Sequence, residues 1–379
     1  MGSNRETHLK KAKRVVVKIG SGVLTRNHGL NHEIIETISH QISQLWDTGC
    51  EVILVSSGAI AAGVKKIGFD KRPEGIPARQ AAAAVGQAGL ILSYEQTFSH
   101  YNRKVAQLLL TRDDLSNRRR YLNARNTINT LLDWGIVPII NENDTVVIEE
   151  IKLGDNDNLS AMITLLMDAD ILINLTDIDG LFDKDPRVHK DAVLIKEVTT
   201  ITKEMEQAAC GIPGNLGTGG MLSKLKAAKK LSRSGIPMII AGGKNQNILS
   251  ELISGKEFGT FFIPGKRRLN SRKCWIAYTL KPQGAICLDR GAEEAIVSRG
   301  KSILPIGITS VQGAFGMGAP VEIKDQEENI LGRGLANYSS ADIKSIMGMK
   351  TSAISSILGS KPYDDVIHRD NLAITFEQR

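Results

Sequence analysis

From Arg14 to Ala241 the chain repeats one pattern: a short run rich in valine, isoleucine and leucine, a stop at glycine, serine, asparagine or aspartate, then a stretch with helical spacing. The runs are Arg14–Val23, Glu51–Val55, Val105–Leu110, Ile136–Ile140, Ile171–Asp177 and Pro237–Ala241. Between them lie 31–48, with Ile34, Ile35, Ile38, Ile42 and Leu45 on one helical face, and the alanine-rich Arg79–Gln87. Arg125–Trp134, Leu159–Leu166 and Leu225–Ser232 continue the helical set. Runs that are apolar without alternation are buried on both faces, and strands that alternate with helices form a largely parallel sheet. The pattern therefore predicts a three-layer α/β/α sandwich. In open sheets of that kind ligands bind beyond the carboxyl ends of the strands, so the turns that end these runs are where function is sought.

The rhythm changes past Gly259. Pro264-Gly265-Lys266-Arg267-Arg268 is basic and irregular, and a helix is expected over 272–279. Beyond it, Gly284–Leu288, Gly307–Val311, Val321–Lys324 and Ile330–Ala336 read as short strands and Ala292–Arg299 as a short helix. Short strands with frequent glycines predict a small β-rich barrel. The expected division is one domain over 1–262, a linker over 263–281, the β-rich domain over 282–360 and a tail over 361–379, strand-paired or loose. At the other end, Met1–Lys13 is polar and is expected to be frayed.

Composition narrows the function classes. An apolar content of 42% with 23% charged residues is ordinary for a globular protein, and 379 residues suffice for two domains. No apolar run has the length of a membrane-spanning helix, and the polar, basic N-terminus is unlike a signal peptide, so a cytoplasmic location is expected. Cys50, Cys210, Cys274 and Cys287 are far apart without C-x-x-C spacing, which speaks against a zinc site and for free thiols. The histidines are scattered, and no metal-ligand set or Ser-His-Asp arrangement stands out. A net charge of +7 suits anionic ligands from nucleotides to RNA without choosing among them.

The strand ends carry the chemistry. The densest is Asn141-Glu142-Asn143-Asp144-Thr145 followed by Gly154-Asp155-Asn156-Asp157-Asn158, before the helical stretch from Leu159. Asp155 and Asn156 are good turn formers and Asp157 or Asn158 a good N-cap. So many short carboxylate and amide groups also suit a small zwitterion and a metal-nucleotide. Lys18 precedes Gly20-Ser21-Gly22, a turn whose backbone amides can cradle a phosphate beside a mobile positive charge. Ser56-Ser57-Gly58-Ala59 offers amides and hydroxyls, or an ordinary N-cap. Thr176-Asp177-Ile178-Asp179-Gly180 leaves another strand through a standard Asp-Gly turn. Gly217-Thr218-Gly219-Gly220-Met221-Leu222-Ser223-Lys224 opens the last helix, where free amides and the helix dipole favour an anion. Two lysines, two glycine-rich turns and a carboxylate cluster together are what phosphoryl transfer to a carboxylate needs. The acceptor oxygen is already a nucleophile, so catalysis is positioning and neutralising the phosphates.

Val16-Val17-Lys18-Ile19-Gly20-Ser21-Gly22-Val23-Leu24, Ser56-Ser57-Gly58-Ala59-Ile60, Asn141-Glu142-Asn143-Asp144, Gly154-Asp155-Asn156-Asp157-Asn158-Leu159-Ser160-Ala161, Leu175-Thr176-Asp177 and Gly217-Thr218-Gly219-Gly220-Met221 together resemble the amino acid kinase family, and within it the members that act on glutamate. Where those members often have Thr-Ser after the first glycine, this chain has Ser21-Gly22. The second region resembles a PUA domain, carried by many RNA-modifying proteins, through Arg290-Gly291-Ala292, Lys301-Ser302-Ile303-Leu304-Pro305-Ile306-Gly307-Ile308, Gly313-Ala314-Phe315 and Gly332-Arg333-Gly334-Leu335.

The first resemblance implies ATP-dependent, Mg-assisted phosphorylation of the γ-carboxylate of L-glutamate to L-glutamyl 5-phosphate, the first step of proline biosynthesis. It implies Lys18 and Lys224 as the groups that neutralise the transferring phosphoryl, with Asp157 orienting them. Ser57, Asp144 and Asn156 would hold glutamate, Asp144 at the ammonium group and Asn156 and Ser57 as donors to carboxylate oxygens. Lys18, Thr176, Asp177, Thr218, Gly219, Gly220, Met221, Leu222, Ser223 and Lys224 would line ATP. A homodimer or homotetramer and feedback inhibition by proline are implied as well.

Two other readings stay open on the sequence. A sibling kinase with aspartate, N-acetylglutamate, carbamate or UMP as acceptor would share the sheet and the lysines; the 154–161 run and the PUA-like region favour glutamate. An RNA-binding regulator with a vestigial kinase fold would suit the PUA resemblance and the positive charge, yet Lys18, Asp157 and Lys224 are all kept. In the PUA-like region the basic residues are not concentrated and the stacking residues are few (Phe315 and Tyr338), which favours an appendage over an RNA-binding surface.

Overall fold

The computed structural model describes residues 4–26, 29–146, 156–209, 220–266 and 268–375. The chain divides into two compact units, Met1–Arg268 and Leu269–Arg379. In the first, the apolar runs form one sheet from β1 (Arg14–Ile19), β2 (Glu51–Val55), β3 (Lys104–Leu110), β4 (Ile136–Glu142), β5 (Ile171–Thr176), β6 (Glu197–Val198), β7 (Met238–Gly242) and β8 (Thr260–Phe262). Their spatial order is β3-β4-β2-β1-β5-β7-β8-β6, and all neighbours run parallel except β7 and β8. β8 returns along β7 after the short helix Ile248–Ile253. The crossovers carry α1 (His32–Asp47), α2 (Ala59–Ile67), α3 (Ile76–Ser99), α4 (Arg118–Asp133), α5 (Asn156–Leu166) and α6 (Met221–Arg233).

Strand side chains alternate between faces, and that alternation builds the sandwich. Val15, Val17 and Ile19 join Val52, Leu54, Ile171 and Ile173 in one core with Ile35, Ile38 and Ile42 of α1 and Leu90, Tyr94 and Phe98 of α3. The intervening positions of β1, Val16 and Lys18, turn to the other face, where α5 packs against β1 and α6 against α5. Lys18 is therefore a cation on a buried sheet face. Its register partner on β5 is Asn174.

Two local expectations are corrected. The N-terminal segment is not frayed among its described residues: Asn4–Lys10 is a helix whose Arg5 and Leu9 are buried. One turn apart, these two share a face. Arg5 donates to the carbonyl of Phe258 and lies 5.9 Å from the centroid of the Phe261 ring. The first strand also stops earlier than its apolar run. Gly20 N donates to Leu175 O at 3.0 Å, and Ser21–Leu24 closes a single helical turn onto Gly20.

The second unit holds β9 (Gly284–Leu288), β10 (Ile308–Gly313), β11 (Pro320–Lys324), β12 (Ile330–Leu335) and β13 (Leu372–Ile374), in the order β10-β9-β11-β12-β13. β9 and β11 are parallel and the other neighbours antiparallel. Ile286, Leu288, Val321, Ile323, Leu331, Ile343 and Ile367 belong to its core. The tail is strand-paired, through β13 on β12. Among the described residues, Cys50, Cys274 and Cys287 are buried and outside any disulfide, and no helix is long and apolar enough to cross a membrane.

Candidate active site

Asp157 is the hub. It follows Asn156 at the start of α5 and lies under the sheet face that carries Lys18. Asp157 and Asn174 are 0% exposed, Lys18 4% and Lys224 6%, so these polar groups are settled against each other and not by solvent. Asp157 Oδ1 accepts from Lys18 Nζ at 2.5 Å and from Asn174 Nδ2 at 2.9 Å. Oδ2 accepts from Ser223 Oγ at 2.5 Å and from Lys224 Nζ at 3.2 Å. An ionised carboxylate offers about four acceptor positions, so Asp157 is fully occupied. Burial pushes its pKa upward, but Lys18, Lys224 and the Ser223 hydroxyl outweigh that and hold it well below the usual carboxylate range. Buried ion pairs add little net stability, and a perturbed buried carboxylate between two lysines points to chemistry.

Local structure explains the convergence. Parallel pairing sets Lys18 beside Asn174. Ser223 and Lys224 stand in the first turn of α6, whose N-cap Gly220 is extended (φ −78°, ψ −174°) and gives no side-chain cap. Among the described residues the first amides of this helix therefore have no capping side chain, which is an anion-binding arrangement. Met221 is buried and Leu222 half-buried in the same turn. Thr218 and Gly219, like Gly154 and Asp155, lie outside the described residues.

A second cluster surrounds Asn156. Its Nδ2 lies 3.0 Å from Ser56 O, 2.8 Å from Ser57 Oγ and 3.0 Å from Asn141 Oδ1. Among the described residues its Oδ1 is buried without a partner. The expected donation from Asn156 to a carboxylate oxygen thus meets a different arrangement: the donors face protein acceptors, and the open atom is itself an acceptor. Ser57 Oγ accepts from Asn156, which leaves its own proton for another group. Asn141 Nδ2 donates to Gln87 Oε1 at 2.8 Å, and Ser56 Oγ lies 3.0 Å from Tyr94 OH. Asp144 follows the end of β4 and is half-buried. Burial pushes its carboxyl up to about 6, against the opposing charge of Arg72.

On the β5 side, Thr176 is buried and its Oγ1 donates to Asp177 Oδ1 at 3.0 Å. A Cβ added at Gly22 would sit 3.3 Å from Asp177 Cβ and Cγ, so Thr176-Asp177 borders the glycine turn after β1. Asn174, Gln87 and Tyr94 were not singled out from the sequence. The signal for Asn174 was a lone amide inside an otherwise apolar run. For Gln87 and Tyr94 it was two polar-tipped side chains two helical turns apart, hence on one face.

Among the described residues no group of three or more His, Cys, Asp or Glu is placed to hold a metal ion. With Asp157 fully occupied, the donor set fits a divalent ion carried mainly by nucleotide phosphates. Two ammonium groups, an uncapped helix start and a cluster of amide and hydroxyl groups can move an anionic group onto a small polar acceptor.

The amino acid kinase family model matches residues 13–242, and the PUA domain model matches 284–358. A glutamate 5-kinase of Geobacter sulfurreducens is 51% identical over 367 residues, 97% of this chain and 98% of that protein. One from Citrifermentans bemidjiense is 51% identical over 371 residues, 98% and 100% of the two chains. One from Syntrophus aciditrophicus is 49% identical over 379 residues, 100% and 98%. The likeness therefore runs through both units.

Proposed function

The chain belongs to the amino acid kinase family, and on that premise we propose that it phosphorylates the γ-carboxylate of L-glutamate with ATP. The product is L-glutamyl 5-phosphate, and the step is the first of proline biosynthesis. The observation that carries this reading is the Lys18–Asp157–Lys224 set, two buried ammonium groups fixed by one saturated carboxylate. A γ-carboxylate oxygen of glutamate attacks the γ-phosphorus of ATP, the bond to the bridging oxygen breaks, and ADP leaves. No proton is removed from the acceptor. Lys18 and Lys224 offset the charge on the transferring group, and Asp157 keeps both in place without reorganisation at the moment of reaction. The uncapped amides at the start of α6, with Gly220, Met221, Leu222 and Ser223, take the phosphates together with Thr176, Asp177, Thr218 and Gly219. When bound, Mg²⁺ on the ATP phosphates supplies further neutralisation of their charge.

Asp144 and the open Oδ1 of Asn156 accept from the α-ammonium group of glutamate, and the Ser57 hydroxyl donates to a carboxylate oxygen. The first unit is the kinase domain and the second a PUA domain that serves as an appendage, with no RNA needed for turnover. A cytoplasmic homodimer or homotetramer inhibited by proline completes the reading.

The test is ATP consumption with Mg²⁺ against L-glutamate, L-aspartate, N-acetyl-L-glutamate, carbamate and UMP, with hydroxylamine to trap an acyl phosphate. Turnover with L-glutamate alone, giving the γ-hydroxamate, is expected. Turnover with another acceptor would keep the phosphoryl site and overturn the roles given to Asp144, Asn156 and Ser57.

A further inference from the structure

We propose that α3 is the frame of the acceptor pocket, and that Gln87 and Tyr94 are positioning residues for the amino-acid acceptor, acting through Asn141 and Ser56. The two side chains stand two helical turns apart on one face of α3. Gln87 Oε1 accepts from Asn141 Nδ2 at 2.8 Å, at the end of β4. Tyr94 OH lies 3.0 Å from Ser56 Oγ, just past the end of β2. Asn141 Oδ1 and Ser56 O are each 3.0 Å from the same atom, Asn156 Nδ2. Two anchors on one helix therefore converge on the amide whose Oδ1 is left open. Tyr94 is fully buried, and burial raises its phenol pKa, so the ring is a protonated partner whose hydroxyl needs Ser56.

The depth of α3 is set by backbone contact. A Cβ added at Gly86 would fall 1.9 Å from Ala59 O, and one at Gly63 would fall 1.7 Å from Ala82 O. Gly86 immediately precedes Gln87, and Ala59 opens α2 directly after Ser57-Gly58. The crossing thus ties the register of α3 to the loop that presents Ser57. Because the bonds of Gln87 and Tyr94 run to Asn141 and Ser56, their loss acts on the acceptor side and leaves the lysine–Asp157 set as it is.

This inference rests on the glutamate reading above. The experiment is steady-state kinetics of the full chain carrying Tyr94→Phe or Gln87→Met, with KM measured separately for L-glutamate and ATP and thermal melts run in parallel. Loss of one buried hydrogen bond predicts a rise of about tenfold in glutamate KM for each variant, with ATP KM within about twofold. In the double variant the rise falls short of the product of the two, since both act through Asn156. Unchanged glutamate KM in both single variants overturns the proposal. So does an equal rise in both KM values, which marks α3 as packing alone. Wild-type protein in the same assay separates the two levels. Silence of the wild type with L-glutamate overturns the parent reading and this one together, whereas variants with wild-type glutamate KM overturn this one only.

Discussion

Of the four donors on Asp157, Asn174 brings neither charge nor any exposure to solvent. Its place opposite Lys18 lets it hold Oδ1 from the side of β5 and keep the carboxylate aimed at the ammonium group. Asn174→Leu keeps the volume and removes the donor, and kcat should fall by about tenfold with smaller changes in either KM. A wild-type kcat in the folded variant would make Asn174 a filler. Asp144 carries the pH dependence. Its folded-state pKa of about 6 lies above the ordinary 3.8, because burial outweighs Arg72. Its contribution to stability is therefore fully present below the ordinary value and lost as pH rises through 6. Asp144→Asn should raise Tm at neutral pH, and the gain should shrink as pH falls from 6 toward 4. Glutamate binding has the opposite sign: the ammonium group needs the ionised carboxylate, so wild-type glutamate KM should rise as pH drops below about 6. A KM flat across that range would remove Asp144 from the ammonium site.

At the scale of elements, the crossing of α2 and α3 is the most constrained contact. Gly63→Ala places a methyl against a carbonyl oxygen and should destabilise by about 1–3 kcal/mol, read as a lower urea midpoint with an unchanged slope. The crossing also shows what a sequence displays and what it hides. The alanine-rich Arg79–Gln87 announces a helix, yet α3 runs from Ile76 to Ser99 because Leu90, Tyr94 and Phe98 continue a buried face. The strands were legible because unbroken apolar runs have one good use in a two-faced sheet. The helix at Asn4–Lys10 was not, since its buried residues Arg5 and Leu9 stand among polar neighbours. Lys18, Asp157 and Lys224 were legible through their glycine-rich turns and their resemblance to a family. Asn174 and Gln87 were not. Gln87 meets Asn141 across 54 positions, and no periodicity links residues so far apart.

On the scale of the molecule, each unit carries its own core, one spanning Leu9 to Phe261 and the other Ile286 to Leu372. A chain ending at Arg268 should therefore unfold cooperatively and retain glutamate turnover, as measured by thermal melts and the hydroxamate assay. A folded fragment without turnover would overturn the appendage view of the second unit. The order of the strands has a consequence for synthesis. β1 lies between β2 and β5, so Lys18, Asp157 and Asn174 can meet once β5 is made. Ser223 and Lys224 arrive only with α6. On the ribosome, where N-terminal domains fold first, a nascent chain that stops short of α6 holds the carboxylate with half its donors. The donor set on Asp157 is thus completed late in the synthesis of the first unit, while the second is still to be made.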